Sequence, residues 1–247
     1  MNRILSIAAL LIALTFGQTK AQEVITVDHF DKVVVSPHVQ VTFTKGDKEN
    51  VTIKSCSVER NKVHVVSSGS TLRIYLEGAK EITKSEKSED NGRSGKKPIY
   101  QGTVLVVDVS YKYLQELSLR GEEKILLKSK IDQQNFDLTV YGEADVQFSE
   151  VELQKMHTVI YGESTLDLRA GNIEEQRITS YGESKVNALP VKSKFARLTL
   201  YGESEINVST SDQISVTAFG EAKVNYKGNP QIKKGVTIGG VKIHKID

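Results

Sequence analysis

The chain has 247 residues, a formal net charge of +2, one cysteine and no tryptophan. A chain of this length can bury a core without metal or disulfide staples, and a single cysteine excludes an internal disulfide and a cysteine-based zinc or iron–sulfur site. The charged fraction of 26% is ordinary for a folded protein and argues against global disorder.

Residues 1–21 have the pattern of a secretory signal peptide. A basic start is followed by an apolar run from Ile4 to Phe16, and Thr19 and Ala21 are small residues before a cleavage site at Gln22. The apolar run is short for a membrane span, so we expect no transmembrane segment in the mature chain. The pattern predicts export through the Sec route to the periplasm, the outer-membrane surface or the extracellular space.

Removal of this segment also changes the meaning of the net charge. The whole chain has 33 Lys and Arg residues against 31 Asp and Glu residues, and the signal segment takes away Arg3 and Lys20. The mature chain is therefore neutral, and its basic residues form no evident cluster along the sequence. A nucleic-acid-binding protein needs such an excess or patch, so this class is excluded.

The section 22–115 is rich in short β-type runs that are separated by turn residues, as at Gly46–Asn50 and Ser67–Ser70. We expect less regular strands here, which form the opening coils of the structure that follows. One segment, about 83–98, has no large apolar residue. Such a segment cannot offset its ordering entropy by burial, so it is predicted to be a disordered insertion.

The section 116–228 contains six copies of one short motif. Their glycines are 21, 20, 20, 20 and 18 residues apart, and they are Gly121, Gly142, Gly162, Gly182, Gly202 and Gly220. Apolar residues alternate with polar ones on both sides of each glycine, which is typical of strands. A fixed period of this size indicates stacked structural units.

These patterns predict an all-β fold, a right-handed parallel β-helix or β-solenoid with coils of about 20 residues. Each unit is expected to be a strand, a glycine corner, a second strand and a return segment, with equivalent apolar residues stacked into one core. Glycine suits the corner because it adopts positive φ and has no Cβ. The section 229–247 is predicted to be a last strand or cap.

Three parts of the sequence resemble the head GIN family of auto-transporter adhesin head domains. They are the opening Phe30-Asp31-Lys32-Val33-Val34-Val35, the strand–Gly–Glu/Ser repeats, and the closing Gly239-Gly240-x-Lys242-Ile243. The resemblance covers roughly Phe30 to Ile243 and implies an exported β-helical binding or adhesion protein without catalytic activity. This chain has Tyr-Gly-Glu-Ser where the family usually has Gly-Ser-Gly.

Two ladders of equivalent residues are the candidate ligand face. Stacked tyrosines suit sugar rings, although they also stabilise a β-helix by stacking alone. Stacked glutamates suit a cation such as Ca²⁺, or they fan into solvent and pair with Lys124, Lys185 and Lys223. The face consists of Tyr141, Tyr161, Tyr181, Tyr201, Glu143, Glu163, Glu183 and Glu203.

The favoured function is an exported binding or adhesion module that contacts a glycan or a surface protein and has no cofactor, resident metal or catalytic residue. One alternative is a carbohydrate-active lyase or hydrolase, because carboxylates on adjacent coils could approach the spacing of a glycosidase pair. The other alternative is a structural periplasmic protein without a ligand. The sequence contains neither a nucleophile elbow nor a phosphate-binding loop, so it does not support other enzyme classes.

Overall fold

The computed structural model describes residues 22–90 and 93–247, and the predicted signal peptide lies outside the described residues. Apart from a short 3-10 turn at Arg60–Lys62, the regular elements of this part are strands. They are β1 (Glu23–Thr26), β2 (Lys32–Val35), β3 (Val39–Lys45), β4 (Asn50–Cys56), β5 (Val63–Ser68), β6 (Thr71–Leu76), β7 (Ser85–Asp90), β8 (Arg93–Pro98), β9 (Leu105–Tyr111), β10 (Glu116–Gly121), β11 (Lys124–Leu127), β12 (Ile131–Gly142), β13 (Asp145–Phe148), β14 (Val151–Gly162), β15 (Thr165–Leu168), β16 (Gly171–Tyr181), β17 (Lys185–Tyr201), β18 (Ser204–Phe219), β19 (Ala222–Lys227), β20 (Gln231–Ile238) and β21 (Val241–Lys245).

The strands form a parallel β-solenoid, as the repeat predicts. The first column of parallel strands lies before the glycine corner and runs β6, β2, β10, β12, β14, β16, β17, β18, β20. The second column lies after the corner and runs β9, β3, β11, β13, β15, β17, β18, β19, β21. Strands β17 and β18 are long enough to contribute to both columns.

The return segment predicted from the repeat is itself a third column of strand pairs. Ile131–Gln133 pairs with Val151–Leu153, which pairs with the start of β16 and then with residues 191–193. Successive residues such as Gln154 and Lys155 are both exposed, so the alternation of inward and outward side chains is interrupted there. This interruption marks a bend between the third column and the first column.

Inward residues at equivalent positions form the core. Leu138, Val140, Val146 and Phe148 of one coil are buried, and so are the residues that follow them in the next coils. Successive coils pair in register over most of their length, with local shifts between β17 and β18 and between β18 and β20. Equivalent inward positions therefore form ladders along the axis. The strict alternation in the sequence is thus the direct cause of the buried interior.

The glycine corners have the predicted geometry. Gly162 has a φ of +120°, and a Cβ on this residue would lie 2.4 Å from the carbonyl oxygen of Gly142 in the preceding coil. Both features exclude a side chain, because L-residues rarely adopt this φ and no real Cβ approaches backbone so closely. The backbones of successive coils therefore lie too close together at this corner to admit a side chain.

The N-terminal section is less regular, as expected. Strands β2 and β3 form one coil and β6 and β9 form another, whereas β1, β4 and β5 pair antiparallel at the outer side of these coils. Among these pairs, only β5 and β6 form a hairpin with a short turn. No helix in the described part of the chain is long and apolar enough to cross a membrane.

The segment 83–98 differs from the sequence-based expectation of disorder. Strands β7 and β8 within it form a two-stranded antiparallel hairpin, and neither pairs with another described strand. The expectation rested on the absence of large apolar residues. A hairpin satisfies its backbone hydrogen bonds across its own two strands, so it needs no buried core to have this geometry.

The C-terminal strands β20 and β21 continue the solenoid as a further coil. β20 pairs with β18 and β21 pairs with β19, and no described strand lies on their outer side. Lys233, Lys234 and Lys242 belong to these strands. Charged residues of this kind protect exposed sheet edges against pairing with other chains.

Candidate ligand-binding face

The four predicted tyrosines form a continuous ladder of stacked rings. They occupy paired positions in successive first-column strands. The ring centroids of Tyr141 and Tyr161 lie 4.9 Å apart with the planes 5° from parallel, and the next two pairs have the same separation. Phe219 extends the ladder at 5.2 Å from Tyr201. The rings therefore have about the same spacing as the paired strands that carry them.

This stacking determines which part of each ring a ligand can reach. Between 37% and 41% of each tyrosine is exposed, but the ring faces cover one another along the axis. The edges and the phenol hydroxyls are the parts that face solvent. A sugar therefore cannot lie flat on a ring inside the ladder, and a ligand of this face would contact ring edges and a row of hydroxyl groups.

The outer face of the first ring is also covered. The guanidinium of Arg120 lies 5.2 Å from the ring centroid of Tyr141, in the range of a cation–π contact. Arg120 is held there by an ion pair of 2.9 Å with Glu81, which lies between β6 and β7. Arg120 thus replaces a tyrosine at the N-terminal end of the ladder.

The corner glutamates lie two residues after the tyrosines and are exposed. The lysine pairs expected for them do not form. Lys124 instead approaches Asp145 at 3.9 Å, and Lys223 approaches Glu205 at 3.2 Å. Within the described residues, none of the corner glutamates has a basic nitrogen within 4.0 Å, because these lysines belong to a neighbouring column with its own acidic members.

A groove runs beside the glutamate ladder. Its volume is about 540 Å³, and four corner glutamates and three lysines line it: Glu163, Glu183, Glu203, Glu221, Lys185, Lys223 and Lys242. Carboxylates accept hydrogen bonds and ammonium groups donate them, so this groove suits a ligand with many hydroxyl groups. The described part of the chain contains no group of three or more residues that could hold a metal ion.

The serines that follow three of the corner glutamates stabilise the corner by hydrogen bonds on its inner side. The hydroxyl of Ser164 donates to the carbonyl of Gly142 at 2.8 Å and accepts the backbone N–H of Ala144 at 3.1 Å. Ser164 is buried, so these bonds satisfy groups that solvent does not reach. The exposed ladders are therefore attached to a rigid backbone.

The first corner departs from the repeat, and sequence analysis missed it. Glu123 is buried where later coils have Ala or Ser. Burial raises the pKa of its carboxyl, and hydrogen bonds from the backbone N–H groups of Glu122 and His38 partly oppose this effect. The break in the Ala/Ser column was the signal that could have revealed this residue.

His38 lies opposite this carboxyl in the preceding coil. Its Nδ1 is 4.0 Å from a carboxylate oxygen of Glu123, and it has a φ of +70°, unusual for a residue other than glycine. Nδ1 donates to the carbonyl of Gly102, and Nε2 pairs with the hydroxyl of Thr83, both at 2.7 Å. His38 therefore contacts the chain on both sides of the hairpin of β7 and β8.

Comparison with known proteins identifies a family for this architecture. Residues 29–230 match the family described as "Putative auto-transporter adhesin, head GIN domain". No curated protein matches the chain.

Solved structures of proteins from Bacteroides and Parabacteroides species share the fold. A protein of Bacteroides fragilis described as a putative adhesin has a TM-score of 0.73 at 16% identity, over 91% of this chain and 96% of its own. A putative adhesin of Parabacteroides merdae has a TM-score of 0.67 at 17% identity, over 92% and 96%. A protein of Parabacteroides distasonis described as a putative lipid binding protein has a TM-score of 0.66 at 18% identity, over 92% and 96%.

Proposed function

Because the chain belongs to the head GIN domain family, we propose that it is an exported, non-catalytic binding module of the cell envelope or cell surface. Its ligand face is the tyrosine ladder together with the corner glutamates. The favoured ligand is a repeating polymer, namely a glycan. A surface protein is the second candidate. The predicted signal peptide and the adhesin description of the family support export.

The repetition of the face at the strand spacing carries this proposal. Four phenol groups recur every 4.9 Å, each followed two residues later by a free carboxylate. A small-molecule site needs one singular concave pocket, whereas this face offers the same contact several times along one line. A polymer with regularly spaced hydroxyl groups can use all of these contacts at once, so many weak hydrogen bonds add up.

Glycan and surface-polysaccharide arrays test the proposal with the mature chain and two double variants. Y161F/Y181F removes two hydroxyls but keeps the stacked rings, and E163Q/E183Q removes two charges. We expect wild-type binding to at least one array member and a loss of several-fold in both variants. Y113F is the matched control, because Tyr113 is as exposed as the ladder tyrosines, at 41%, but lies outside the ladder.

Three outcomes would contradict the proposal. Absence of wild-type binding to glycans and surface proteins would favour a purely structural protein. Release of reducing ends or unsaturated products from a polysaccharide, abolished in E163Q/E183Q, would favour the carbohydrate-active enzyme. Equal binding by all variants would remove the ladder face from the site.

A further inference from the structure

A second groove runs along the bend between the third column and the first column. It has a volume of about 780 Å³, which is within the range of roughly 300–1,000 Å³ typical of ligand sites. We call it the bend groove and define it by Asp132, Gln134, Glu152, Gln154, Lys192 and Lys194. It lies at the opposite end of the first-column strands from the tyrosines, so it is separate from the ladder face.

The charges of the bend groove are ordered along the solenoid axis. In successive coils, one wall has Asp132, Glu152, Asn172 and Lys192 at paired positions. The other wall, two residues further along each coil, has glutamines in the first two coils, then Glu174 and Lys194. The groove therefore has an acidic end toward the N-terminal coils and a basic end toward the C-terminal coils.

The acidic end keeps an excess of negative charge. Lys130 is the cation near it, and its ammonium lies 3.7 Å from Asp132, 3.3 Å from Glu150 and 3.8 Å from Glu152. One ammonium among three carboxylates cannot neutralise them. Glu152 also accepts a hydrogen bond of 3.0 Å from the amide of Asn172, which places this carboxylate on the wall of the groove.

The basic end has one lysine without an acidic partner among the described residues. Lys194 pairs with Glu174 at 3.0 Å, whereas Lys192 has no carboxylate within 4.0 Å in the described ranges 22–90 and 93–247. The ammonium of Lys192 is therefore available to a negative group of a ligand. Both lysines are exposed, so a ligand can reach them without a conformational change.

The distance between the two ends limits the ligand. Asp132 and Lys192 are separated by three strand steps of about 4.8 Å each, or about 14 Å. An extended peptide rises about 3.3 Å per residue, so four to five residues span this distance. The side-chain amides of Gln134 and Gln154 can both donate and accept hydrogen bonds, as peptide groups require.

We propose that the bend groove binds a short extended peptide with free termini, its ammonium group at Asp132 and Glu152 and its carboxylate at Lys192. A glycan built only of neutral and acidic sugars has no cation for the acidic end. The opposite charges of a zwitterionic lipid headgroup are too close together to reach both ends. This site goes beyond the proposed function of the ladder face and does not depend on it.

Calorimetric titration of the full mature chain with pentaalanine tests this site. Peptides with free termini, with an acetylated N-terminus, with an amidated C-terminus and with both caps are compared. We expect each cap to weaken binding roughly threefold to tenfold, because each removes one exposed charge-assisted contact. K192Q should remove the effect of C-terminal amidation, and D132N/E152Q should remove the effect of acetylation.

K185Q is the matched control, because it removes a lysine from the groove of the ladder face. It should leave all four affinities unchanged. The proposal is overturned if pentaalanine does not bind the wild-type chain, or if the doubly capped peptide binds as tightly as the free one. It is also overturned if a uronic-acid oligosaccharide binds in a manner sensitive to K192Q while the peptides do not.

Discussion

The phenol rings of Tyr161 and Tyr181 lie 4.9 Å apart between centroids, with their planes 4° from parallel. Each interior tyrosine of the ladder has such a neighbour on both sides. The same arrangement that covers the ring faces also leaves the hydroxyls in one exposed line. The ladder thus stabilises the solenoid by stacking, and it is also the proposed binding surface. The two roles should respond differently to substitution.

Tyr181→Ala is expected to lower the free energy of unfolding by about 1–3 kcal/mol, because it removes two stacked contacts of roughly 0.5–1.5 kcal/mol each. Tyr181→Phe should leave stability nearly unchanged. Urea denaturation measures both values. Tyr113→Ala is the control for the loss of an exposed tyrosine that has no stacked ring among the described residues. If Y181F destabilised the chain as much as Y181A, the hydroxyl and not the stack would be responsible.

Gly182→Ala and Gly182→Val should destabilise the chain strongly. Gly182 has a φ of +127° and a Cβ there would lie 2.6 Å from the carbonyl oxygen of Gly162, so the substitution incurs backbone strain of roughly 1–3 kcal/mol plus a clash. Gly69→Ala is the matched control, with a φ of +58° and nothing within 4 Å, and should cost about 1 kcal/mol. Equal melting temperatures for G182A and G69A would contradict the close approach of the coils.

Glu123→Gln should change the dependence of stability on pH. The raised pKa of the buried carboxyl means that the folded chain keeps a proton that the unfolded chain has already lost. Stability from this group is therefore complete at low pH and declines as pH rises through the raised pKa. His38 and Glu122 face the carboxyl and are unchanged in the variant. Urea denaturation from pH 4 to pH 8 should show E123Q gaining stability relative to wild type as pH rises, and a constant difference would be contrary evidence.

Ser164→Ala should cost about 1–2 kcal/mol, because the backbone N–H of Ala144 would lose its partner in a buried corner. Ser118→Ala, on the outer surface of the first column, serves as the comparison and should have little effect. Denaturant titration of both variants measures their free energies of unfolding. A negligible change in S164A would show that the corner relaxes or admits water.

The parallel solenoid, its corners and its two ladders could be predicted because each follows from local repetition. Alternation at the inward positions, a glycine every 20 residues or so, and a tyrosine before four of the six glycines are visible in the chain itself. Stacking in register then follows from the need to bury equivalent apolar positions together. The sequence repeat and the stacked packing therefore both follow from the burial of equivalent apolar residues in one core.

The remaining features depend on contacts that the repeat does not contain. The pairing of Lys223 with Glu205 depends on which of two neighbouring columns a side chain reaches, and the hairpin of β7 and β8 depends on backbone pairing without a core. The contact of His38 with Glu123 joins residues that are distant in sequence. The bend groove results from a change of strand direction. The periodicity of the sequence alone does not show where along each coil this change occurs.

The most direct test of the ladder face as a binding surface is hydroxyl-radical footprinting of the wild-type mature chain with and without isolated bacterial surface polysaccharides. Oxidation of Tyr141, Tyr161, Tyr181 and Tyr201 should fall several-fold when the polysaccharide is present, while oxidation of Tyr113 stays the same. Unchanged oxidation of the four ladder tyrosines in the presence of bound polysaccharide would contradict the account.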